Sequence, residues 1–378
     1  MSIFDTVLER QDTDSAKWGA QSPDILPLWV ADMDFAAPKP VIDAMAERLK
    51  HPVFGYTRPD DSVYQAIIDH YRLNHQATVK KEWIVFLPNV NVGVNLACRI
   101  AEGQLMMTTP IYSHIYMRLA DESKKQRTVV PLLCENGYYS MDFQTMEQKA
   151  NDEHIGVFIL CNPHNPVGRV YTRSELEELL VFAQRHDILV VSDEIHSDLV
   201  LSGHHVPFFS LGEAAQERSI ALHSPSKTYN IPGVPIGFAI IPNEKLRAEF
   251  AHQSYGLLPG LSAFALAALK AAFTDCETWR QELIAYLQEN QKYLRKRVAS
   301  IDGLSLKAEN EATYLAWVDA SGIGVEHPYR FLLEQARVRL GDGAEFSDKQ
   351  FVRINFGCPR SILEEAFDRI EQALELTI

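Results

Sequence analysis

Three strings place reactive side chains just past short apolar runs. Ser224-Pro225-Ser226-Lys227 follows Ser219-Ile220-Ala221-Leu222. Asp193 closes Ile188-Leu189-Val190-Val191-Ser192, and Asn165 lies just beyond Gly156-Val157-Phe158-Ile159-Leu160-Cys161. Apolar runs of this length, bounded by turn formers, suit strands buried on both faces. As neighbouring parallel strands, they would bring a lysine, a carboxylate and an amide to one edge of a sheet. That carboxyl edge is where open α/β sheets bind ligands.

Each group offers a distinct chemistry. The Lys227 amine can form an imine with an aldehyde once deprotonated, a state favoured by burial or a nearby cation. Asp193 can keep a heterocyclic nitrogen protonated through a charge-assisted hydrogen bond. The Asn165 amide can bond a ring hydroxyl. Taken singly, each has a plainer alternative: an exposed lysine, a helix-capping aspartate, and a turn asparagine in Asn162-Pro163-His164-Asn165-Pro166-Val167-Gly168. Together they meet the requirements of pyridoxal 5′-phosphate (PLP). A phosphate needs backbone N–H groups at a helix start and nearby hydroxyls. The turn at 88–93, between an expected strand at 83–87 and helix at 92–100, offers the N–H groups of Val90 and Asn91, and Ser224 and Ser226 add hydroxyls.

The elements that must position these groups alternate. Strands are expected at 105–108, 128–130, 156–161, 188–191, 219–222 and 238–241. A helix is expected over 113–123, and a second opens at Thr172, where Glu175 completes a capping box. Leu176, Leu179, Leu180 and Ala183 then recur at helical spacing. This predicts an α/β fold, a mostly parallel sheet between helices. The C-terminal third changes character, with helices over 261–300, a strand at 314–318, a helix at 328–337, a strand at 352–355 and a helix at 361–376. The expected division is a large cofactor-binding domain at 46–270 and a smaller α+β domain at 1–45 plus 271–378. The extended piece 26–35 is too short to stand alone and is expected to pack against the latter.

Composition narrows the function further. A net charge of −14 with scattered Lys and Arg argues against nucleic acid or an anionic membrane as partner. With 378 residues, 46% of them hydrophobic, the core can be large, so neither disulfides nor a structural metal is needed to hold it. The five cysteines form no Cys-x-x-Cys pair, which suits a reducing compartment. No apolar run is long enough to span a bilayer, and the first residues lack signal-peptide character, so a cytoplasmic location is expected.

Taken together, the strings resemble the fold-type-I PLP enzymes of the class I/II aminotransferase superfamily, in its cystathionine β-lyase/C–S lyase branch. The resemblance runs nearly full length. It begins with Phe4-Asp5, Arg10, Thr13 and Ser15-Ala16-Lys17-Trp18. Leu28-Trp29-Val30-Ala31-Asp32-Met33-Asp34-Phe35 is its most distinctive string, followed by Phe54-Gly55-Tyr56-Thr57. Then come 162–168, Ser192-Asp193-Glu194-Ile195-His196, Ser226-Lys227-Thr228-Tyr229-Asn230 and Arg353-Ile354-Asn355-Phe356-Gly357-Cys358-Pro359-Arg360.

The resemblance implies roles by position. Lys227 is the Schiff-base lysine, Asp193 the partner of the pyridine nitrogen, and Asn165 that of the ring hydroxyl. Tyr112 stacks on the ring as part of the catalytic set, and His196 adjoins the cofactor where many aminotransferases have a tyrosine. Tyr56 reaches a neighbouring subunit's phosphate across a homodimer interface. Arg353 grips the substrate α-carboxylate with its planar fork. The implied reaction is α,β-elimination from L-cystathionine or a related cysteine S-conjugate, giving a thiol, pyruvate and ammonia. Transamination is the alternative, since it shares the early steps. A PLP-binding regulator on the same scaffold is a third. The sequence departs from the branch at Asn89, where Gly is usual, in the short stretch 101–105, and at Pro232 and Pro235-Ile236-Gly237.

Overall fold

A computed structural model describes residues 2–19, 21–112, 116, 118 and 125–376. The helix expected over 113–123 lies outside the described residues, apart from Tyr116 and Arg118, which are helical. Seven strands form the main sheet, in the spatial order Ile84–Leu87, Gly237–Ile240, Ser219–His223, Leu189–Asp193, Ile155–Cys161, Gln104–Thr109, Arg127–Pro131. The last five pair in parallel; Gly237–Ile240 runs antiparallel to both neighbours. Every residue of Ile155–Cys161 is buried, which explains its unbroken apolar character.

Register does the positioning. Cys161 stands level with Asp193, and Asp193 with Leu222. The turns that follow therefore start from one edge and carry Asn165, Asp193 and Lys227 into the same space.

A four-stranded antiparallel sheet lies in the order Ser305–Leu306, Leu315–Asp319, Phe351–Asn355, Gly341–Asp342. Its core is shared by residues from both ends of the chain, among them Phe4, Leu28, Met33, Leu283, Val352 and Leu363. Leu26–Pro27 pairs in parallel with Val338–Arg339. The segment then runs beside Phe351–Asn355: Asn355 N donates to Leu28 O at 3.0 Å, and Asp34 N to Gly357 O at 2.9 Å. A buried cationic and acidic group fixes its far side. Lys17 Nζ donates to Asp34 Oδ2 at 2.6 Å, and Arg10 pairs with Asp32 at 3.1 Å.

Several boundaries differ from expectation. The helix placed at 92–100 begins at Val90, because the Asn89 side chain accepts from Val92 N at 2.9 Å and caps it. The helix placed at 328–337 ends at Glu334, and Arg337 at φ 56° has left the helical region. The Thr172–Glu175 capping box forms as expected.

Candidate active site

A cavity of about 190 Å³ opens at the carboxyl edge of the large sheet. It is lined by Trp29, Val30, Ala31, Asn91, Tyr112, Tyr116, Cys161, Asn165, Asp193, Ile195, His196, Lys227, Glu345 and Arg353. Seven of the residues singled out in the sequence are thus brought together: Lys227, Asp193, Asn165, His196, Tyr112, Asn91 and Arg353.

The Lys227 amine donates to the backbone carbonyl of Ala31 at 2.6 Å. Burial is the main cause that brings its pKa down to about 8. The Arg353 cation adds to this, while Asp32 and Asp193 oppose it. A good share of the amine is therefore neutral in mildly alkaline solution, the state needed to attack an aldehyde or accept a proton. The depressed pKa also has a stability consequence. Between about pH 8 and the ordinary lysine value, the unfolded chain binds a proton that the folded chain does not. The burial penalty is thus full below pH 8 and fades as pH rises toward that value. Lys227→Met in the cofactor-free chain is expected to gain on the order of 2 kcal/mol at pH 7, allowing for the side chain's partial exposure. Urea midpoints at pH 7 and pH 10 check this; a gain that does not shrink at pH 10 contradicts it.

Asp193 is buried, and burial raises its pKa against two stabilising hydrogen bonds. Tyr116 donates its hydroxyl to Oδ2 at 2.5 Å, and Ile195 N donates to Oδ1 at 3.1 Å.

Arg353, expected to grip a carboxylate, is 4% exposed on an inner strand. The absence of a side chain at Gly341 leaves it room, since a Cβ there would lie 3.1 Å from Arg353 Cβ. Nη1 donates to Asn165 Oδ1 at 3.0 Å and Nη2 to Trp29 O at 2.8 Å. The guanidinium carbon lies 4.6 Å from the centre of the Phe346 ring and 5.8 Å from that of Tyr112. Burial pulls its pKa down to about 10, and Nε has no hydrogen-bond partner. Among the described residues no carboxylate forms an ion pair with it. A buried cation of this kind is completed by an anionic ligand.

His196 is buried against Tyr314, with ring centres 6.1 Å apart, and Nδ1 lacks a partner. Burial, with the charges of Lys227 and Arg353, takes its pKa down to about 3, so the ring is neutral.

The remaining predicted residues lie elsewhere. Val90 is buried beside Asn91 at the helix start and does not line the cavity. Nor do Ser224 and Ser226. Ser224 Oγ donates to Ile236 O at 2.6 Å and accepts from Ser226 N at 3.1 Å, so it shapes the lysine loop. Tyr56 is fully exposed and away from this cavity.

The model for aminotransferase class I and II matches residues 23–370. The chain belongs to that family. Cystathionine beta-lyase PatB of Bacillus subtilis (strain 168) is 36% identical over 98% of this chain and 99% of its own. The crystal structure of OvoB superposes with a TM-score of 0.94 at 40% identity, covering 98% of each chain. That of the PLP-bound C-S lyase from Staphylococcus hominis gives a TM-score of 0.90 at 29% identity, over 98% of this chain and 97% of that one.

Sequence reasoning missed other members of the site. Tyr116 lies one helical turn beyond Tyr112, a spacing that places both on one face. Cys161 carries no signal of its own, since it closes an apolar run like any core residue, although the last residue of a buried strand faces the ligand edge. Trp29, Val30 and Ala31 contribute backbone carbonyls, which no side-chain pattern announces. Among the described residues no helix is long and apolar enough to cross a membrane.

Proposed function

We propose that this protein is a PLP-dependent carbon–sulfur β-lyase. It cleaves L-cystathionine or related cysteine S-conjugates to a thiol, pyruvate and ammonia. The observation that carries the proposal is the convergence of a partly neutral Lys227 amine, the Asp193 carboxylate and a buried Arg353 guanidinium on one cavity. The donors fit the cofactor: an amine for its aldehyde, a buried acid for its ring nitrogen and an amide for its hydroxyl. The unpartnered Arg353 Nε and His196 Nδ1 are polar atoms that wait for a ligand.

When bound, PLP supplies an aldehyde for the amino group and a cationic ring that draws electrons from the α-carbon. The protein does the rest. Asp193 keeps the proton on the ring nitrogen, with Tyr116 and Ile195 N fixing its carboxylate. Asn165 would hold the ring hydroxyl, Tyr112 would lie against the ring and His196 would sit beside it as a neutral group. Asn91, which lines the cavity at the helix start, would offer its N–H to the phosphate, with Val90 and the Ser224–Ser226 turn just outside the cavity wall. Arg353 binds the substrate α-carboxylate through its fork. Lys227 removes the α-proton as general base. The thiolate leaves the β-carbon with its bonding electron pair. The three-carbon remainder takes up water, giving pyruvate and ammonia.

Full-length relatives named as lyases favour elimination over transamination. The working unit is a homodimer in the cytoplasm, with Tyr56 reaching the other subunit's phosphate site; its complete exposure supports that role.

The test is incubation with PLP and L-cystathionine in the absence of any keto acid. Pyruvate and free thiol are expected in equal amounts. If neither forms, while 2-oxoglutarate with an amino-acid panel yields glutamate, the protein is an aminotransferase.

A further inference from the structure

A second group of ionisable side chains is buried apart from the cavity, and none of them lines it. His70 comes from helix Asp61–Asn74, His75 caps that helix, and His223 ends strand Ser219–His223. All three direct Nε2 at the Asp198 carboxylate. His70 and His75 lie 2.9 and 3.0 Å from Oδ1, and His223 lies 3.3 Å from Oδ2. The four side chains are at most 4% exposed. One donor atom each from His70, Asp198 and His223 fall within 4.8 Å of one another.

Hydrogen bonding accounts for part of this arrangement, since His70 and His75 each bond Asp198 Oδ1, but not for His223. Neither ring nitrogen of His223 has a hydrogen-bond partner. An unsatisfied buried polar group costs about 1–3 kcal/mol, and one left so in a native fold calls for an explanation such as a bound ion. Among the described residues no lysine or arginine side chain pairs with Asp198, whose ion-pair partners are histidines alone. A buried carboxylate is stable only when paired or coordinated.

We propose that His70, Asp198 and His223 bind one divalent transition-metal ion of the zinc class. Two imidazoles and one carboxylate suit that class, whereas magnesium and calcium take oxygen donors. With metal bonds of about 2.0–2.1 Å, donor atoms in a tetrahedral zinc site lie about 3.3 Å apart. The nitrogen–oxygen separations to His70 and His223 are 2.9 and 3.3 Å, and the donor atoms of His70, Asp198 and His223 all lie within 4.8 Å of one another, so ring rotations would bring them to that spacing. Asn74 lies 3.1 Å from the far nitrogen of His70. With its amide oxygen turned inward it accepts that N–H and orients the ring as a metal ligand. The ion ties helix Asp61–Asn74 to the sheet and to the turn that follows Asp193. Its role is structural. None of its ligands serves in the proposed reaction, so this inference and the lyase reading can fail separately.

Metal analysis of untagged holoenzyme is the first measurement, with about one zinc per chain expected. After chelation, titration with Co²⁺ is expected to give the visible bands of a four-coordinate nitrogen/oxygen site, displaced by Zn²⁺. Adding Zn²⁺ back is expected to raise the thermal midpoint. His223→Gln and His70→Gln are each expected to weaken binding by more than about tenfold, since even outer ligand-orienting groups contribute that much. Wild-type protein that binds neither Zn²⁺ nor Co²⁺ stoichiometrically overturns the proposal without recourse to a variant. Unchanged affinity in a folded His70→Gln/His223→Gln double variant overturns it equally.

Discussion

Lys227→Ala is expected to lower the rate of pyruvate formation from L-cystathionine by at least about a thousandfold, because a positioned general base alone contributes about 10²–10⁴. The loss should fall on kcat more than on KM, since the amine acts on the α-proton and Arg353 still holds the carboxylate. The variant should retain PLP but lose the visible absorbance of the lysine-bound cofactor. Folding should survive, because the amine's one hydrogen bond is to the Ala31 carbonyl in a partly exposed setting. A small primary amine such as methylamine, diffusing into the vacated space, is expected to restore part of the rate. Retained colour and retained turnover together would remove Lys227 from the mechanism.

Arg353→Ala is the second large effect. The guanidinium is buried, holds Asn165 Oδ1 and Trp29 O, and has a nitrogen without a partner. Removing one side of a buried charge pair typically costs about 2–5 kcal/mol. For the enzyme–substrate pair this corresponds to a fall in kcat/KM of about thirtyfold to several thousandfold. KM should carry much of it, and the cofactor's absorbance should be unchanged. Arg353→Lys should recover only a fraction, because a point charge lacks the two parallel donors that match a carboxylate. A KM within twofold of wild type in Arg353→Ala would place the α-carboxylate elsewhere.

The parts of this site that were legible in the sequence share one property: they follow runs whose buried length betrays a strand. Asp193 and Asn165 could be placed because Ile155–Cys161 and Leu189–Asp193 are apolar on both faces and pair in register. Lys227 could be placed because its loop follows a third such strand. Arg353 was found through resemblance. Its strand lies in a different sheet, and local pattern cannot show which way that sheet faces. Glu345 escaped notice because it sits on the short turn Gly343–Phe346, which has no periodicity. The histidine cluster escaped for a different reason. Its members are dispersed over more than 150 positions, with no ligand spacing of the kind that marks a zinc motif.

The segment from Trp29 to Asp32 carries a consequence for how the enzyme comes into being. Its carbonyls receive Lys227, Tyr314, Arg353 and Asn355, partners 196 to 325 residues away along the chain. These residues stay without those partners until chain 196 to 325 positions further on has been made. During that interval the large sheet can assemble from neighbours close in sequence, whereas the catalytic cavity has no roof. Chains interrupted late in translation would therefore hold a folded sheet and no working site. Maturation is in this sense a checkpoint on synthesis through the strand Phe351–Asn355, which carries Arg353 into the site.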